Sequence, residues 1–462
     1  MAGILRYGSY VPHCRLPRSA LRGRGAGERA VAGFDEDATS MAVEAAREAV
    51  RGLAPTPADV LFASTSHPYA EKLNAAVIHA ALDLPPGACS ADLSSSTRSG
   101  LAALAMAARL ARDRTVVACA ADVVTGAPTG PRETAGGDAA CAFAIGEGPE
   151  VGAEVVGAAS ITAELLDAWR GREQRFARQW EERFVMESLA PALRSALAAS
   201  LREAGLGIDD LTRIAIDTAH RKTAVAAARA AGLHPARIAD DLSATVGRAG
   251  AAHAGLLLAS LLDSASPGDR IAVLCAADGA EAVVLEVTDR IESARPRHAV
   301  ADWIDSKRSG LEYETYLRWR GILPCEPPRR PDPPRPAAPP MRRSERWKYA
   351  FVGSRCRSCG AANLPPQLVC VQCGAVDAMD DLAFSDATAS IATYTVDHLA
   401  YSLQQPVVAA VVDFNQGGRF ACELADVDPQ QVAIGQELEM TFRRLYTSDG
   451  VRNYFWKARP RR

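Results

Sequence analysis

Residues 92–104 read D-L-S-S-S-T-R-S-G-L-A-A-L: a strand-like start, a polar turn, then the small-residue face of a buried helix. In an α/β protein this order sets Ser94 to Ser99 at the C-terminal end of a strand and over a helix start. Backbone N–H groups without intrahelical partners, together with the helix dipole, favour an anion, an oxyanion or an ionised nucleophile there. An acyl-transfer enzyme needs its nucleophile in such a place. A serine-rich turn that merely caps a helix fits the same residues on local grounds.

Outward from this stretch, strands and helices alternate. Strands are expected at 4–10, 60–64, 115–120 and 140–145, with helices at 36–52 and 73–82 and a polar loop at 65–72. A second α/β half is expected from helix 189–204, strand 213–218, helices 223–232 and 249–264, and strands 270–276 and 281–287. Asp278-Gly279 spells a type I′ hairpin turn between the last two. Together these patterns predict a layered α/β domain in two halves. Residues 161–184 are richer in charge and aromatics, which suits an insertion or helical cap over an entrance. A surface helix with Trp169, Phe176 and Trp180 turned inward fits them as well.

The totals exclude several functions. The chain has 462 residues, room for two or three domains, and a net charge of −3, which gives no reason to expect nucleic acid or an anionic membrane as partner. No apolar run is long enough to span a bilayer, and M-A-G-I-L-R-Y-G lacks the pattern of a secretory signal. Of the 11 cysteines, four form a tight pair of pairs and the rest are scattered singly, which suits a reducing cytoplasm.

Cys356-x-x-Cys359, ten intervening residues, then Cys370-x-x-Cys373 is the most specific pattern in the chain. Each C-x-x-C bends two thiolates toward one point, and Gly360 and Gly374 supply the tight turns. Two such knuckles predict a tetrahedral four-sulfur site for a structural zinc. Before it, the proline-rich run 324–340 reads as an extended spacer that cannot be helix or central strand. After it, short β-branched runs at 389–395, 407–414, 419–424 and 438–445 predict a small β-barrel. Only the final K-A-R-P-R-R is markedly basic, and it is expected to be a frayed tail.

The 92–104 segment resembles the nucleophile turn of the thiolase superfamily, in particular 3-hydroxy-3-methylglutaryl-CoA synthase and chain-initiating ketoacyl-ACP synthases. The run G-G-D-A-A-C-A-F-A-I-G at 136–146 is similar to that superfamily's G-D-G-A-A-A turn, with Ala139 in place of the second glycine. The ribbon and barrel resemble the zinc-ribbon OB-fold proteins that accompany thiolases on acyl-CoA substrates. The resemblance implies a duplicated five-layer α/β core at 1–290, with halves at about 1–160 and 185–290. A helical segment and linker at 291–345, a zinc ribbon at 346–380 and an OB-fold at 381–462 would follow. It also implies a homodimer, and coenzyme A or a phosphopantetheine carrier protein as the bearer of the acyl group.

Aligned on Gly100 and Ala102-Ala103-Leu104, the family's catalytic cysteine falls on Thr97. His220, in T-A-H-R-K-T-A, stands where the synthase histidine belongs. Arg248 takes the place of the asparagine in the G-N-T motif, and His253 follows five residues on. Without the thiol, condensation through a cysteine-bound acyl group is excluded. Three outcomes remain: aldol or retro-aldol chemistry on an acyl thioester, acyl transfer through Ser96 or Thr97 with His220 as base, or a non-catalytic scaffold or acyl-carrier subunit serving a cysteine-containing partner. Arg98, Arg248 and His253 are the expected substrate-binding residues, with the two arginines suited to a carboxylate, an enolate or a phosphate. The expectation is an acyl-thioester enzyme that makes or breaks a carbon–carbon bond, or transfers an acyl group, without a cysteine nucleophile.

Overall fold

Gly3–Tyr10, Val116–Asp122 and Ala139–Gly146 are built almost wholly from apolar and small residues, as strands covered on both faces must be. They form the middle of a nine-stranded mixed sheet. The computed structural model that shows this describes residues 2–21, 25–54, 59–171, 173–326 and 333–462. One compact unit contains Met1–Ala32, Asp37–Ile78 and Leu84–Tyr316; the other contains Gly33–Glu36, His79–Asp83 and Leu317–Arg462.

In the first unit the spatial order is 213–218, 270–276, 279–287, 153–162, 3–10, 139–146, 116–122, 59–64 and 89–94. The two halves meet where Gly3 and Ile4 pair with Glu154 and Ala153. The helices sort into layers around them. Ala38–Val50 packs on the first half, and Glu182–Ala204 and Arg221–Ala230 pack on the second. Ser99–Leu110 and His253–Asp263 touch each other and strands of both halves, so they form the middle layer. That gives the five α/β layers expected from the sequence.

A tight approach within this middle layer occurs at Gly100. A Cβ there would lie 1.8 Å from the carbonyl oxygen of Ala251. Glycine is therefore required by space, and it lets the start of helix Ser99–Leu110 rest on the turn Gly250–Ala252.

Several expectations need correction. Residues 153–162 form a strand; the sequence A-E-V-V-G-A-A-S-I-T hides it among small residues with little alternation. Residues 161–184 are not a helical cap: Ala168–Trp169 pairs antiparallel with Arg178–Gln179, and the long helix starts at Glu182. The hairpin at Asp278-Gly279 has a three-residue loop rather than a two-residue one, since Ala276 pairs with Ala280; φ is positive at both Asp278 and Gly279.

In the second unit, Val352–Cys356, Ala362–Asn363 and Met379–Ala383 make a three-stranded ribbon sheet. Five strands follow, in the order 419–423, 407–414, 389–397, 437–448 and 451–460. The barrel closes where Leu424 bridges Ala458. Phe351, Phe384, Phe414, Phe442 and Trp456 are its buried aromatic core. The C-terminal basic residues are not a frayed tail. Lys457 and Arg459 lie in the last strand with only 3% of their surface exposed. Each is neutralised: Lys457 pairs with Glu423 at 2.8 Å and Arg459 with Glu439 at 2.7 Å. Within the proline-rich run, 327–332 lies outside the described residues, and Ala338–Arg343 is a short helix, contrary to the extended spacer expected. Its prolines occupy the first turn, where the missing N–H is not needed.

Gly100→Ala is expected to cost about 2–3 kcal/mol of stability through overpacking, read by chemical denaturation of the purified chain. A loss under about 0.5 kcal/mol, the range of neutral surface changes, would contradict the close contact of helix Ser99–Leu110 with the turn Gly250–Ala252.

Candidate active site and metal centre

The strand Cys89–Ser94 ends in a sharp turn. Ser95 takes a positive φ of 83°, a conformation unusual for a residue with a side chain, and helix Ser99–Leu110 begins four residues later. The turn delivers Thr97 to a cavity of about 410 Å³. The wall also includes Arg132, Trp180, Glu182, His220, Arg248 and Gly250.

Arg248 enters from the second half. Its segment is held by a backbone exchange with the G-G-D turn: Arg248 N donates to Ala135 O at 2.9 Å, and Gly137 N donates to Arg248 O at 3.0 Å. A Cβ on Gly137 would lie 1.9 Å from the carbonyl of Val246, so glycine is needed for that approach. The guanidinium then donates from Nε to Asp217 Oδ1 at 2.6 Å and from Nη2 to Asp217 Oδ2 at 3.3 Å. The same Nη2 reaches Thr97 Oγ1 at 3.2 Å. Asp217, at the end of strand Arg213–Thr218, is fully enclosed. Burial works against the charge on Arg248, but Asp217 outweighs it and holds the guanidinium above its ordinary pKa.

His220 follows the same strand and precedes helix Arg221–Ala230. It is 9% exposed, and its Nε2 has no hydrogen-bond partner. Burial lowers its pKa, Glu182 pulls it back up and Arg248 pushes it down; the net shift is below the ordinary 6.5. At neutral pH it is therefore an uncharged imidazole facing the cavity, able to accept a proton.

Asp122 clamps this arrangement from behind. Its carboxylate accepts from Ser64 Oγ at 2.8 Å, Thr65 N at 2.8 Å, Thr65 Oγ1 at 2.9 Å, Ser66 Oγ at 2.7 Å and Ala251 N at 2.6 Å. One buried anion thus ties two strand ends of the first half to the turn that carries Gly250.

The structure brings Thr97, His220 and Arg248 into one cavity. It places Ser96, Arg98 and His253 outside the wall. The Ser96 hydroxyl accepts from Arg98 N at 3.3 Å, as a local turn bond. Arg98 turns toward strand Ala153–Thr162 and donates to Ile161 O at 2.7 Å and Thr162 Oγ1 at 3.3 Å. His253 is the buried first residue of its helix, 4% exposed, with its pKa lowered mainly by burial. Sequence reasoning missed Asp217 and Arg132, and named Trp180 only as part of the 161–184 cap or surface helix. Asp217 carried a signal, as an acid at the end of an apolar strand three residues before His220; Arg132 carried none.

Among the described residues, no cysteine lines the cavity. Cys119 and Cys141 are buried and absent from the wall, and burial raises both pKa values, that of Cys141 to about 12. Cys275 lies closer, donating to Asp217 Oδ2 at 3.3 Å. Burial first and the Asp217 charge second push its pKa well up, which keeps it a thiol.

The metal centre lies in the second unit. The sulfur atoms of Cys356, Cys359, Cys370 and Cys373 all fall within 4.8 Å of one another. Cys356 and Cys373 are 3.7 Å apart, and Cys359 and Cys370 are 3.6 Å apart. Tetrahedral zinc with sulfur ligands requires an S···S edge of about 3.8 Å. The two knuckles repeat one backbone pattern: Cys356 N to Ala361 O and Gly360 N to Cys356 O, then Cys370 N to Ala375 O and Gly374 N to Cys370 O. Gly360 and Gly374 both have positive φ. Four convergent thiols leave no open ligand position, so the site fits a structural zinc.

Comparison with known proteins agrees with both regions. The chain is 30% identical over 341 residues to the hydroxymethylglutaryl-CoA synthase of Archaeoglobus fulgidus, an alignment spanning 69% of this chain and 98% of that protein. It belongs to the hydroxymethylglutaryl-CoA synthase family. With that membership it is an enzyme of the acyl-thioester condensing and transferring class, and its core is thiolase-like. The Pyrococcus horikoshii synthase is 31% identical over 344 residues, 69% of this chain and 95% of its own length. Among solved structures, an HMG-CoA synthase complexed with CoA matches at TM-score 0.59 and 18% identity, covering 69% of this chain and 89% of that one. The 3-oxoacyl-[acyl-carrier-protein] synthase III of Aquifex aeolicus matches at TM-score 0.56 and 18% identity, covering 62% and 100%. Residues 348–377 match the ChsH2 rubredoxin-like zinc ribbon domain and 383–443 the ChsH2 C-terminal OB-fold domain. This family member therefore carries a fused ribbon and barrel. Among the described residues, no helix is long and apolar enough to cross a membrane.

Elemental analysis of the purified chain is expected to find one zinc per molecule. Cys370→Ser is expected to lose the metal and the folded ribbon together. A zinc-free chain whose ribbon stays folded would contradict the assignment.

Proposed function

We propose that this chain makes or breaks a carbon–carbon bond of an acyl thioester through an enolate held without a covalent acyl intermediate. The observation that carries this is the bond from Arg248 to Thr97. A threonine activated as a nucleophile needs its O–H donated to a base. Here the Thr97 oxygen accepts from a guanidinium, while His220 Nε2 has no partner. The arrangement suits a hydroxyl that donates into the cavity, polarised by the cation behind it.

In this scheme the thioester carbonyl accepts from Thr97 Oγ1, with the Arg248 charge behind it. His220 removes the α-proton as an uncharged base. The electron pair moves onto the carbonyl oxygen, where Thr97 and Arg248 stabilise the developing anion. The α-carbon then adds to an electrophilic carbonyl, or in reverse is released from one, and His220 returns the proton. The acyl group is borne by coenzyme A or a carrier protein, as is supported by relatives whose solved forms hold CoA or an apo donor carrier protein. The open edge strand Cys89–Ser94 supports pairing of two copies into a homodimer. A non-catalytic scaffold gains less support, because it needs neither a free uncharged imidazole nor an open cavity.

The test is α-hydrogen exchange of butanoyl-CoA in D2O, followed by mass spectrometry. The wild type is expected to accelerate exchange, and His220→Ala to lower the rate by about 100-fold or more. Because the His220 pKa is depressed, the rate is expected to hold down through pH 6.5 and to fall only below it. Exchange no faster than in buffer, or indifferent to His220→Ala, would overturn the proposal.

A further inference from the structure

The scheme above places one oxyanion, the enolate, and leaves the electrophile without a site. An aldol step needs a second anion site, because the acceptor's C=O electron pair moves onto its oxygen as the new bond forms. Arg248 is already engaged: its Nε and Nη2 are bound to Asp217 and Thr97. Two wall residues stand outside the scheme, Arg132 and Trp180.

Arg132 comes from the short helix Pro131–Ala135, and its Nε is buried without a hydrogen-bond partner. Among the described residues its guanidinium makes no hydrogen bond and no ion pair. Nearby carboxylates are committed elsewhere. Glu133 accepts from Thr129 N at 2.6 Å and from Tyr313 Oη at 3.2 Å, and Asp122 accepts from Ser64, Thr65, Ser66 and Ala251. A guanidinium so placed is costly unless a ligand brings negative charge to it. Burial lowers its pKa most, Arg248, Arg170 and Arg29 add to this, and Asp122 opposes it. A bound oxyanion relieves that pressure.

Trp180 is the apolar counterpart. It follows strand Arg178–Gln179, and its backbone N donates to Asp167 O at 3.2 Å, which fixes it to the ribbon. Its ring meets Trp169 edge-on with centroids 6.1 Å apart and lies 5.5 Å from Phe184. Trp180 is nevertheless 45% exposed and Phe184 49%. A held aromatic surface that still faces water gains most from a planar apolar group laid against it.

We infer that Arg132 and Trp180 form the acceptor subsite: the carbonyl oxygen of an aromatic aldehyde or ketone accepts from the Arg132 guanidinium, with its ring against Trp180. This rests on the proposed enolate chemistry and names its second substrate. In the cleavage direction the substrate is a 3-hydroxy-3-aryl-acyl thioester. His220 takes the β-hydroxyl proton, and the bond between the α- and β-carbons breaks. Its electron pair passes to the enolate at Thr97 and Arg248, the aryl carbonyl departs, and His220 returns the proton to the α-carbon. Arg132 holds the oxygen while it is an alkoxide and keeps its own protons, since a guanidinium donates hydrogen bonds without deprotonating. It is a catalytic residue that acts at the carbon–carbon step rather than at α-proton removal.

The coenzyme's adenine is the other planar group available to Trp180, and the test separates the two. Cleavage of 3-hydroxy-3-phenylpropanoyl-CoA and 3-hydroxybutanoyl-CoA to acetyl-CoA and the aldehyde is followed by mass spectrometry, beside α-hydrogen exchange of butanoyl-CoA. The same three acyl groups are tested on N-acetylcysteamine, which has no adenine. The full-length wild type is compared with Arg132→Gln, Arg132→Lys and Trp180→Ala. Wild type is expected to favour the phenyl substrate by about 10-fold or more in kcat/KM on both carriers. Arg132→Gln is expected to slow cleavage by about 100-fold or more and exchange far less, Arg132→Lys to recover part of the loss, and Trp180→Ala to remove the phenyl preference. Equal losses of cleavage and exchange in Arg132→Gln overturn the inference. So does a wild type with no phenyl preference, a preference that survives Trp180→Ala, or exchange by wild type without cleavage of either substrate. If Trp180→Ala weakens every CoA thioester alike and spares those of N-acetylcysteamine, the tryptophan serves adenine, and the inference falls while the enolate reading stands. If wild type catalyses neither exchange nor cleavage, that reading itself falls.

Discussion

Asp217 and Arg248 come from two different elements of the second half and meet through two hydrogen bonds, with the carboxylate wholly enclosed. A carboxylate removed from water without a partner would cost several kcal/mol, so the strand end that carries Asp217 fixes where Arg248 must be. Arg248 in turn reaches Thr97 across from the first half. The pocket's chemistry follows from this chain of charge, counter-charge and hydroxyl. The cation donates to the Thr97 oxygen and lowers the proton affinity of His220, and in the proposed scheme it stands behind the hydroxyl as the anion-stabilising group.

The packing serves that chain. Gly100 lets the nucleophile-turn helix rest on the Ala251 carbonyl, and Gly137 lets the G-G-D turn clasp the backbone of Arg248. Asp122 ties the turn Gly250–Ala252 to two strand ends by five accepted hydrogen bonds. Removing any of these would move Thr97 relative to Arg248, and a displacement of about 1 Å is enough to lose about 100-fold in a positioned reaction.

Much of this was legible in the sequence because periodicity and spacing record it directly. The alternating strands and helices, the four-cysteine knuckles and the short β-branched runs each leave a local pattern. Thr97, His220 and Arg248 were legible through alignment with a family. The strand Ala153–Thr162 was not, because alanine and glycine carry no clear alternation when both faces are covered. Arg98 misled because its place beside Thr97 says nothing of which way a helix-start side chain turns, and the Ile161 carbonyl captures it. Arg132 comes from the five-residue helix Pro131–Ala135 and Trp180 directly follows the second strand of a two-stranded ribbon; the placement of both over the cavity depends on contacts far apart in the chain. Lys457 and Arg459 looked like solvated charges because their partners, Glu423 and Glu439, lie on other strands.

The central claim is that position 97 receives a thioester carbonyl without bonding to it. Intact mass measurement of the wild type and of Thr97→Cys, each incubated with acyl-CoA, tests it most directly. A thiol set there beside Arg248 is drawn toward its thiolate. The account predicts one acyl group added to Thr97→Cys and none to the wild type. No adduct on Thr97→Cys would contradict it by showing that the carbonyl does not reach this turn, and an adduct on Thr97 of the wild type would contradict it by showing that the hydroxyl is a nucleophile.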